Sequence, residues 1–279
     1  MILPAFWPSM HARHASHLSE GAPFPLKESF LEILLWMPVN ILQALSLGVL
    51  CGVVIPLAIA ARKISGNTGP ALWMARNVWA RVILVGGFSS LRVAGLENLS
   101  RARPALIVSN HRSYADIPIL YRALPIPLNF AGKKELERMP LIGMFGRAVG
   151  MIFLDRSTHQ RAAKGILDLK ASLKRGEWMA VFPEGTRSMD GTLGRFASGS
   201  FASAIAAGVD VLPVAILGSD RMLRRGGFLV RPSKIEVLIG KLIPTTGLTS
   251  GDRFELAAKT NAAVLRLMES ADPSTSAFP

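Results

Sequence analysis

The stretch Ala105-Leu-Ile-Val-Ser109-Asn110-His111-Arg112-Ser113-Tyr114-Ala115-Asp116-Ile117-Pro118 decides the architecture. A short aliphatic run stops abruptly at a block of polar side chains. Apolar runs of this length read as strands buried on both faces. Pro118 favours a helix start just beyond, because a missing N–H matters least in the first helical turn. Strand, polar turn and helix together make the βα unit of a parallel sheet.

Similar runs recur outward from it: 149–153 (VGMIF), 178–182 (WMAVF), 211–217 (VLPVAIL) and 235–239 (IEVLI). Segments with helical spacing lie between and after them, at 158–175, 195–207 and 252–270. The expected fold is α/β, a mostly parallel sheet flanked by helices, with active-site residues at the carboxyl ends of strands. Pro213 cannot donate to a ladder, so its strand is expected near an edge or mouth.

Upstream the character changes. From Ile33 to Ala61 no side chain carries a charge. As one straight helix this stretch would extend about 44 Å, against a hydrocarbon core of roughly 30 Å. It can span with tilt, kink at Pro38 or Pro56, or enter and return. A buried core helix is disfavoured by this length without charge, and a cleaved signal peptide by the late start. Residues 71–88, with Trp73, Arg76, Trp79 and Arg81, suit either a helix at the lipid interface or an ordinary domain helix. The expected organisation is a mobile segment at 1–28, membrane-attachment helices at 29–88, a catalytic α/β domain at 89–271 and a frayed tail at 272–279.

Half of the 279 residues are hydrophobic and 18% are charged, which excludes a disordered chain. The only cysteine, Cys51, excludes an internal disulfide framework and a Cys-rich zinc site. Net charge is +13, of which the first 70 residues carry +1, so the basic surface belongs to the later domain. Such a surface attracts polyanions: nucleic acid, anionic lipid or phosphorylated small molecules. Arg62 and Lys63 directly after the apolar stretch place that domain on the cytoplasmic side by the positive-inside rule, the inner membrane if the source is bacterial. His11, His14 and His17 have no carboxylate or thiol company and read as a polar terminus, with no metal site.

Four polar boxes carry chemistry. His111 and Asp116 stand five residues apart, which puts them roughly 140° apart on one regular helix. They meet only if His111 lies in the loop and Asp116 in the first helical turn. A carboxylate on one imidazole nitrogen fixes the tautomer and frees the other to accept a proton. The second box is Phe182-Pro183-Glu184-Gly185-Thr186-Arg187-Ser188, with a carboxylate, a glycine, hydroxyls and a phosphate-gripping guanidinium. The third is Lys133-x2-Leu136-x6-Gly143-x12-Arg156, and the fourth is the proline-bearing run 211–216. Taken singly, each box also fits a structural histidine, a surface ion pair or solvated basic residues.

In this order the four boxes resemble the glycerolipid acyltransferase family, the 1-acylglycerol-3-phosphate acyltransferases, over about residues 90–220. The resemblance implies transfer of a fatty acyl chain from acyl-CoA or acyl carrier protein to a lysophospholipid hydroxyl. It implies His111 as general base, oriented by Asp116. It implies the acceptor phosphate near Lys133, Arg156 and Arg187, with Glu184, Gly185 and Thr186 around the acceptor glycerol and phosphate. No metal or cofactor is implied; the thioester is a co-substrate. Backbone N–H groups of the His111–Asp116 turn are candidate oxyanion donors. Membrane lipid, lysophospholipid and acyl donor are the expected partners, with no nucleic acid. The rival acceptors are lyso-ornithine lipid and glycerol-3-phosphate. Rivals of another class are a non-catalytic basic membrane-binding protein and, from charge alone, a nucleic-acid binder, which lacks any matching motif.

Overall fold

A computed structural model describes residues 30–100, 103–155, 157–185, 192–224 and 229–271. The expected segments at 1–28 and 272–279 lie outside the described residues.

The first element is α1 (Phe30–Ser65), with Pro38 and Pro56 inside it. Gly66, at φ +70°, supplies the left-handed turn that ends it. The chain then doubles back through α2 (Gly69–Met74), a π-helical stretch at Ala75–Trp79 and α3 (Ala80–Gly86). Gly86 comes to rest against the Gln43 side chain of α1. On its inner side α1 buries Val54, Ile55 and Ala58. Outward it exposes Leu35, Leu42, Leu45, Val49, Val53 and Leu57, an apolar stripe at helical spacing. Near its end the Arg62 guanidinium donates to the carbonyls of Arg147 and Ala148.

The alternating part follows. It comprises β1 (Ser90–Ala94), α4 (Leu96–Ser100), β2 (Leu106–Ser109), α5 (Asp116–Ala123), β3 (Leu128–Lys133), α6 (Pro140–Val149) and β4 (Ile152–Leu154). Then come α7 (His159–Lys174), β5 (Trp178–Val181), α8 (Gly199–Ala207), β6 (Val211–Leu217), α9 (Ser219–Met222), β7 (Lys234–Ile239) and α10 (Arg253–Glu269). The seven strands form one sheet in the order β1-β7-β6-β2-β5-β3-β4. All neighbours are parallel except β6 and β7.

Side-chain alternation along β2 builds two core layers. Ile107 points to the layer of Ile119, Leu120 and the α2–α3 residues Leu72 and Leu84. Leu106 and Val108 point to the layer of α7, α8 and α10, with Leu169, Phe201 and Leu256. Each such side chain removed from water contributes about 1.5–3 kcal/mol, which locks the pleat register.

Three expectations need correction, and one alternative left open is divided. The strand placed at 149–153 begins at Ile152, because Val149 closes α6 and Gly150, at φ +84°, caps it in the left-handed conformation. Strands β1 and β3 were not among the expected runs; β3 (LNFAGK) hides behind Asn129, Gly132 and Lys133. Pro213 lies in an interior strand, paired with Val108 of β2. Its missing N–H is harmless there because the β6–β7 ladder stops at Val214–Ile239, and Gly240 N–H closes onto the Pro213 carbonyl. The two tryptophans of 71–88 part company. Trp73 is exposed, whereas Trp79 packs on Tyr121 and Phe145 at ring separations of 6.1 and 5.3 Å.

Candidate active site

Strand β2 delivers its polar block to the carboxyl rim of the sheet. Asn110 continues the strand with its side chain. Its Nδ2 donates to the Ile216 carbonyl and its Oδ1 accepts the Ile216 N–H, both at 2.8 Å. The side chain thus adds one rung to the β2–β6 pairing and holds the start of the turn against the sheet.

His111 therefore sits ahead of the helix, and Asp116 is the first residue of α5. His111 Nδ1 and Asp116 Oδ2 are 2.7 Å apart. A carboxylate can only accept, so Nδ1 carries the hydrogen, and in the neutral imidazole Nε2 is then the acceptor nitrogen. Asp116 is fully buried while the His111 side chain is 18% exposed. The same Asp116 oxygen also accepts the N–H groups of Arg112 and Ser113, at 2.8 and 2.9 Å. Both N–H groups belong to the loop ahead of α5, and the carboxylate sits in the first turn of that helix, where the dipole favours negative charge. The imidazole stacks on Phe182 with ring centroids 4.2 Å apart, which fixes its plane.

Strand β5, next to β2, brings the second box to the same rim. Glu184 Oε1 accepts the His111 N–H at 2.8 Å, and Oε2 accepts the Gly194 N–H at 2.9 Å. Burial pushes its carboxyl above the usual range, and the N–H groups of Gly194 and His111 pull the other way. Gly185 takes φ +72°, a conformation other residues adopt at a cost, and its N–H closes onto the Phe182 carbonyl.

Lys133 ends β3, one strand beyond β5, and is exposed. At about 4.8 Å per strand it stands roughly 10 Å along the rim from β2. Arg156, Thr186 and Arg187 lie outside the described residues. The oxyanion expectation is corrected at five positions. The N–H groups of His111, Arg112, Ser113, Ala115 and Asp116 are already donated, to Glu184, Asp116, Asp116, the Ser113 hydroxyl and the Ser113 carbonyl.

Sequence reading passed over Asn110, Arg112, Ser113 and Phe182 as site-builders, although all four flank or sit inside the quoted boxes. Arg112 pairs with Asp220 of α9 at 3.7 Å, and the Ser113 hydroxyl donates to the Leu223 carbonyl at 2.8 Å. No local pattern announces these partners.

Comparison with known proteins identifies the family. A family model described as Acyltransferase matches residues 90–217. The 1-acyl-sn-glycerol-3-phosphate acyltransferase of Pseudomonas aeruginosa is 31% identical over 202 residues, covering 72% of this chain and 77% of its own length. Its counterpart from Saccharomyces cerevisiae is 31% identical over 215 residues, covering 75% and 70%. The lyso-ornithine lipid O-acyltransferase of Pseudomonas aeruginosa is 35% identical over 195 residues, covering 62% and 71%. The crystal structure of the 1-acyl-sn-glycerophosphate acyltransferase PlsC from Thermotoga maritima superposes with a TM-score of 0.72 at 27% identity, covering 85% of this chain and 95% of that one. The chain belongs to this acyltransferase family.

Proposed function

We propose that this enzyme moves a fatty acyl chain from an acyl-CoA or acyl carrier protein thioester to the free hydroxyl of 1-acylglycerol-3-phosphate, giving phosphatidic acid. The observation that carries the reading is the 2.7 Å contact between His111 Nδ1 and a buried Asp116 carboxylate, with Nε2 left to meet substrate.

The chemistry runs in one displacement. Nε2 takes the hydroxyl proton as the oxygen attacks the thioester carbonyl carbon. The carbon–sulfur bond then breaks, the thiolate leaves, and the imidazolium returns a proton to sulfur. Asp116 stabilises the imidazolium and holds its plane, as in other His–carboxylate pairs. General-base assistance of this kind contributes about 10²–10⁴-fold. The thiolate is a good leaving group, so no acyl-enzyme is required. Lys133, Arg156 and Arg187 are the cations assigned to the acceptor phosphate, with Gly185 and Thr186 beside it. Glu184 acts from behind, holding the His111 backbone.

We assign α1 to the lipid surface, with the α/β domain on the cytoplasmic side. Its outward stripe is apolar, and Arg62 and Lys63 follow the uncharged stretch. Between Asn40, which bonds Val230, and Arg62, which bonds α6, the helix keeps to the domain for about 33 Å at 1.5 Å per residue. That favours a helix lying along the membrane face with the active-site rim beside the lipid, where both amphiphilic substrates reside.

A lyso-ornithine lipid is the second acceptor reading, favoured by the relative that is 35% identical. Purified enzyme in vesicles, offered lysophosphatidic acid, lyso-ornithine lipid and glycerol-3-phosphate with each donor, decides between them. Thiol release with lysophosphatidic acid alone supports the main reading; release with lyso-ornithine lipid alone overturns it.

A further inference from the structure

One polar residue in the apolar helix α1 makes a contact that the mechanism above does not use. Asn40 Oδ1 accepts the Val230 N–H at 2.7 Å, and its Nδ2 donates to the Val230 carbonyl at 3.2 Å. The same Nδ2 donates to the Trp36 carbonyl at 2.9 Å. Both amide hydrogens and the amide oxygen thus have partners, in a helix whose outer face is hydrocarbon. In such surroundings an unpaired amide is costly, so the pairing is held firmly.

Val230 belongs to an isolated β-bridge that adjoins the catalytic turn. It bridges Leu223 in antiparallel fashion, and the Arg231 N–H donates to the Met222 carbonyl at 2.9 Å. The Leu223 carbonyl accepts the Ser113 hydroxyl at 2.8 Å. The Ser113 N–H donates to Asp116 Oδ2, the oxygen that faces His111 Nδ1. Arg112 and Asp220 add an ion pair between the same two segments. Gly87, at the end of α3, seals the junction. A Cβ there would stand 2.8 Å from Met222 Cε and 3.1 Å from Val230 Cγ1.

We propose that Asn40 is a positioning residue for acyl transfer: it fastens the lipid-facing helix to the Leu223–Val230 pair, which in turn holds the Ser113–Asp116 end of the catalytic turn. Lipid-facing α1 and the His111–Asp116 geometry then form one mechanical unit. Enzyme whose α1 is properly seated has its general base in place. The inference rests on the reading of His111 as base, and a His111→Ala arm tests that reading separately.

The experiment compares full-length wild type, N40L, N40Q, S113A and N40L/S113A in phosphatidylglycerol-containing vesicles. It measures kcat and KM by thiol release with lysophosphatidic acid and each acyl donor, and attachment by vesicle flotation. N40L is expected to lower kcat about three- to tenfold with KM and flotation unchanged, N40Q to recover part of the loss, and the double variant to lose less than the product of the singles. An unchanged kcat in N40L, a loss explained wholly by reduced flotation, or losses that simply multiply would each overturn the proposal. Should N40L fail to fold by circular dichroism, Gly87→Ala applies a wedge at the same junction. A reduced kcat there supports the coupling and an unchanged one overturns it. Full turnover by His111→Ala would instead strike the base assignment and leave the Asn40 cycle to be read on its own.

Discussion

Glu184 holds His111 by its backbone: the carboxylate oxygen accepts the histidine N–H at 2.8 Å across 73 residues of sequence. Its other oxygen holds Gly194 in the same way. A carboxylate has acceptors on both sides, and a carboxamide has only one. Glu184→Gln turns an amide group toward one of the two N–H donors and breaks that bond. A charged hydrogen bond of this kind is worth about 1.5–3 kcal/mol, so a fall in kcat of roughly ten- to a hundredfold is expected. Steady-state kinetics with unchanged KM for the acyl donor would support this; unchanged kcat would remove Glu184 from the positioning role.

The same substitution has a pH signature. Burial raises the Glu184 carboxyl in the folded state above its unfolded value of about 4.3. The folded state therefore binds the proton more tightly. This contribution to stability is complete below the unfolded value and is lost as pH rises through the folded one. Glutamine does not titrate. The gap in Tm between wild type and Glu184→Gln is expected to narrow as pH rises from about 4 towards neutrality. Thermal melts across that range check it, and a widening gap would contradict the burial argument.

Removing His111 itself is expected to lower turnover by about 10²–10⁴-fold in His111→Ala. Asp116→Asn can keep its oxygen towards Nδ1–H and the two backbone N–H groups, since all three meet one oxygen, but it removes the negative charge that stabilises the imidazolium, and a clear loss of turnover is expected. Both variants should retain the wild-type circular dichroism spectrum. Near-normal thiol release from either would end the general-base mechanism.

Asn110 makes a structural rather than chemical contribution. Asn110→Ala leaves the buried Ile216 N–H and carbonyl without their side-chain partners. Each such loss costs about 1–3 kcal/mol, so a clear drop in Tm is expected along with weaker activity. Melting at the wild-type temperature would show that the turn does not depend on this rung.

The outward stripe of α1 can be tested by charge. Leu42 and Leu45 are 67% and 64% exposed. A charged head on the lipid side of an interfacial helix weakens its burial among acyl chains, so Leu45→Arg should shift protein out of the floating vesicle fraction. The same substitution should leave the fold intact, because the side chain points away from the domain. Unaltered flotation would mean that this face does not meet lipid.

Much of this enzyme could be read in order along its chain. Short aliphatic runs alternating with period-3.6 segments announce an α/β domain, and the runs ending in polar boxes mark the strand ends where chemistry belongs. The uncharged stretch from Ile33 to Ala61 announces a helix with an apolar outer face. These are local properties, set by which side chains avoid water and by how the backbone repeats. Strand β3 escaped because Asn129 and Lys133 break its apolar run, although Asn129 is buried.

Tertiary structure alone decided who meets whom. His111 reaches Asp116 because the helix starts at the aspartate and leaves the histidine in the loop. Glu184 lies 73 residues from His111, Asn110 lies 106 from Ile216, and Asn40 lies 190 from Val230. A residue's own sequence neighbourhood does not encode a hydrogen-bond partner at such separations. It is set by parallel crossovers that gather strand ends on one rim, and by the packing of α1 along the finished domain.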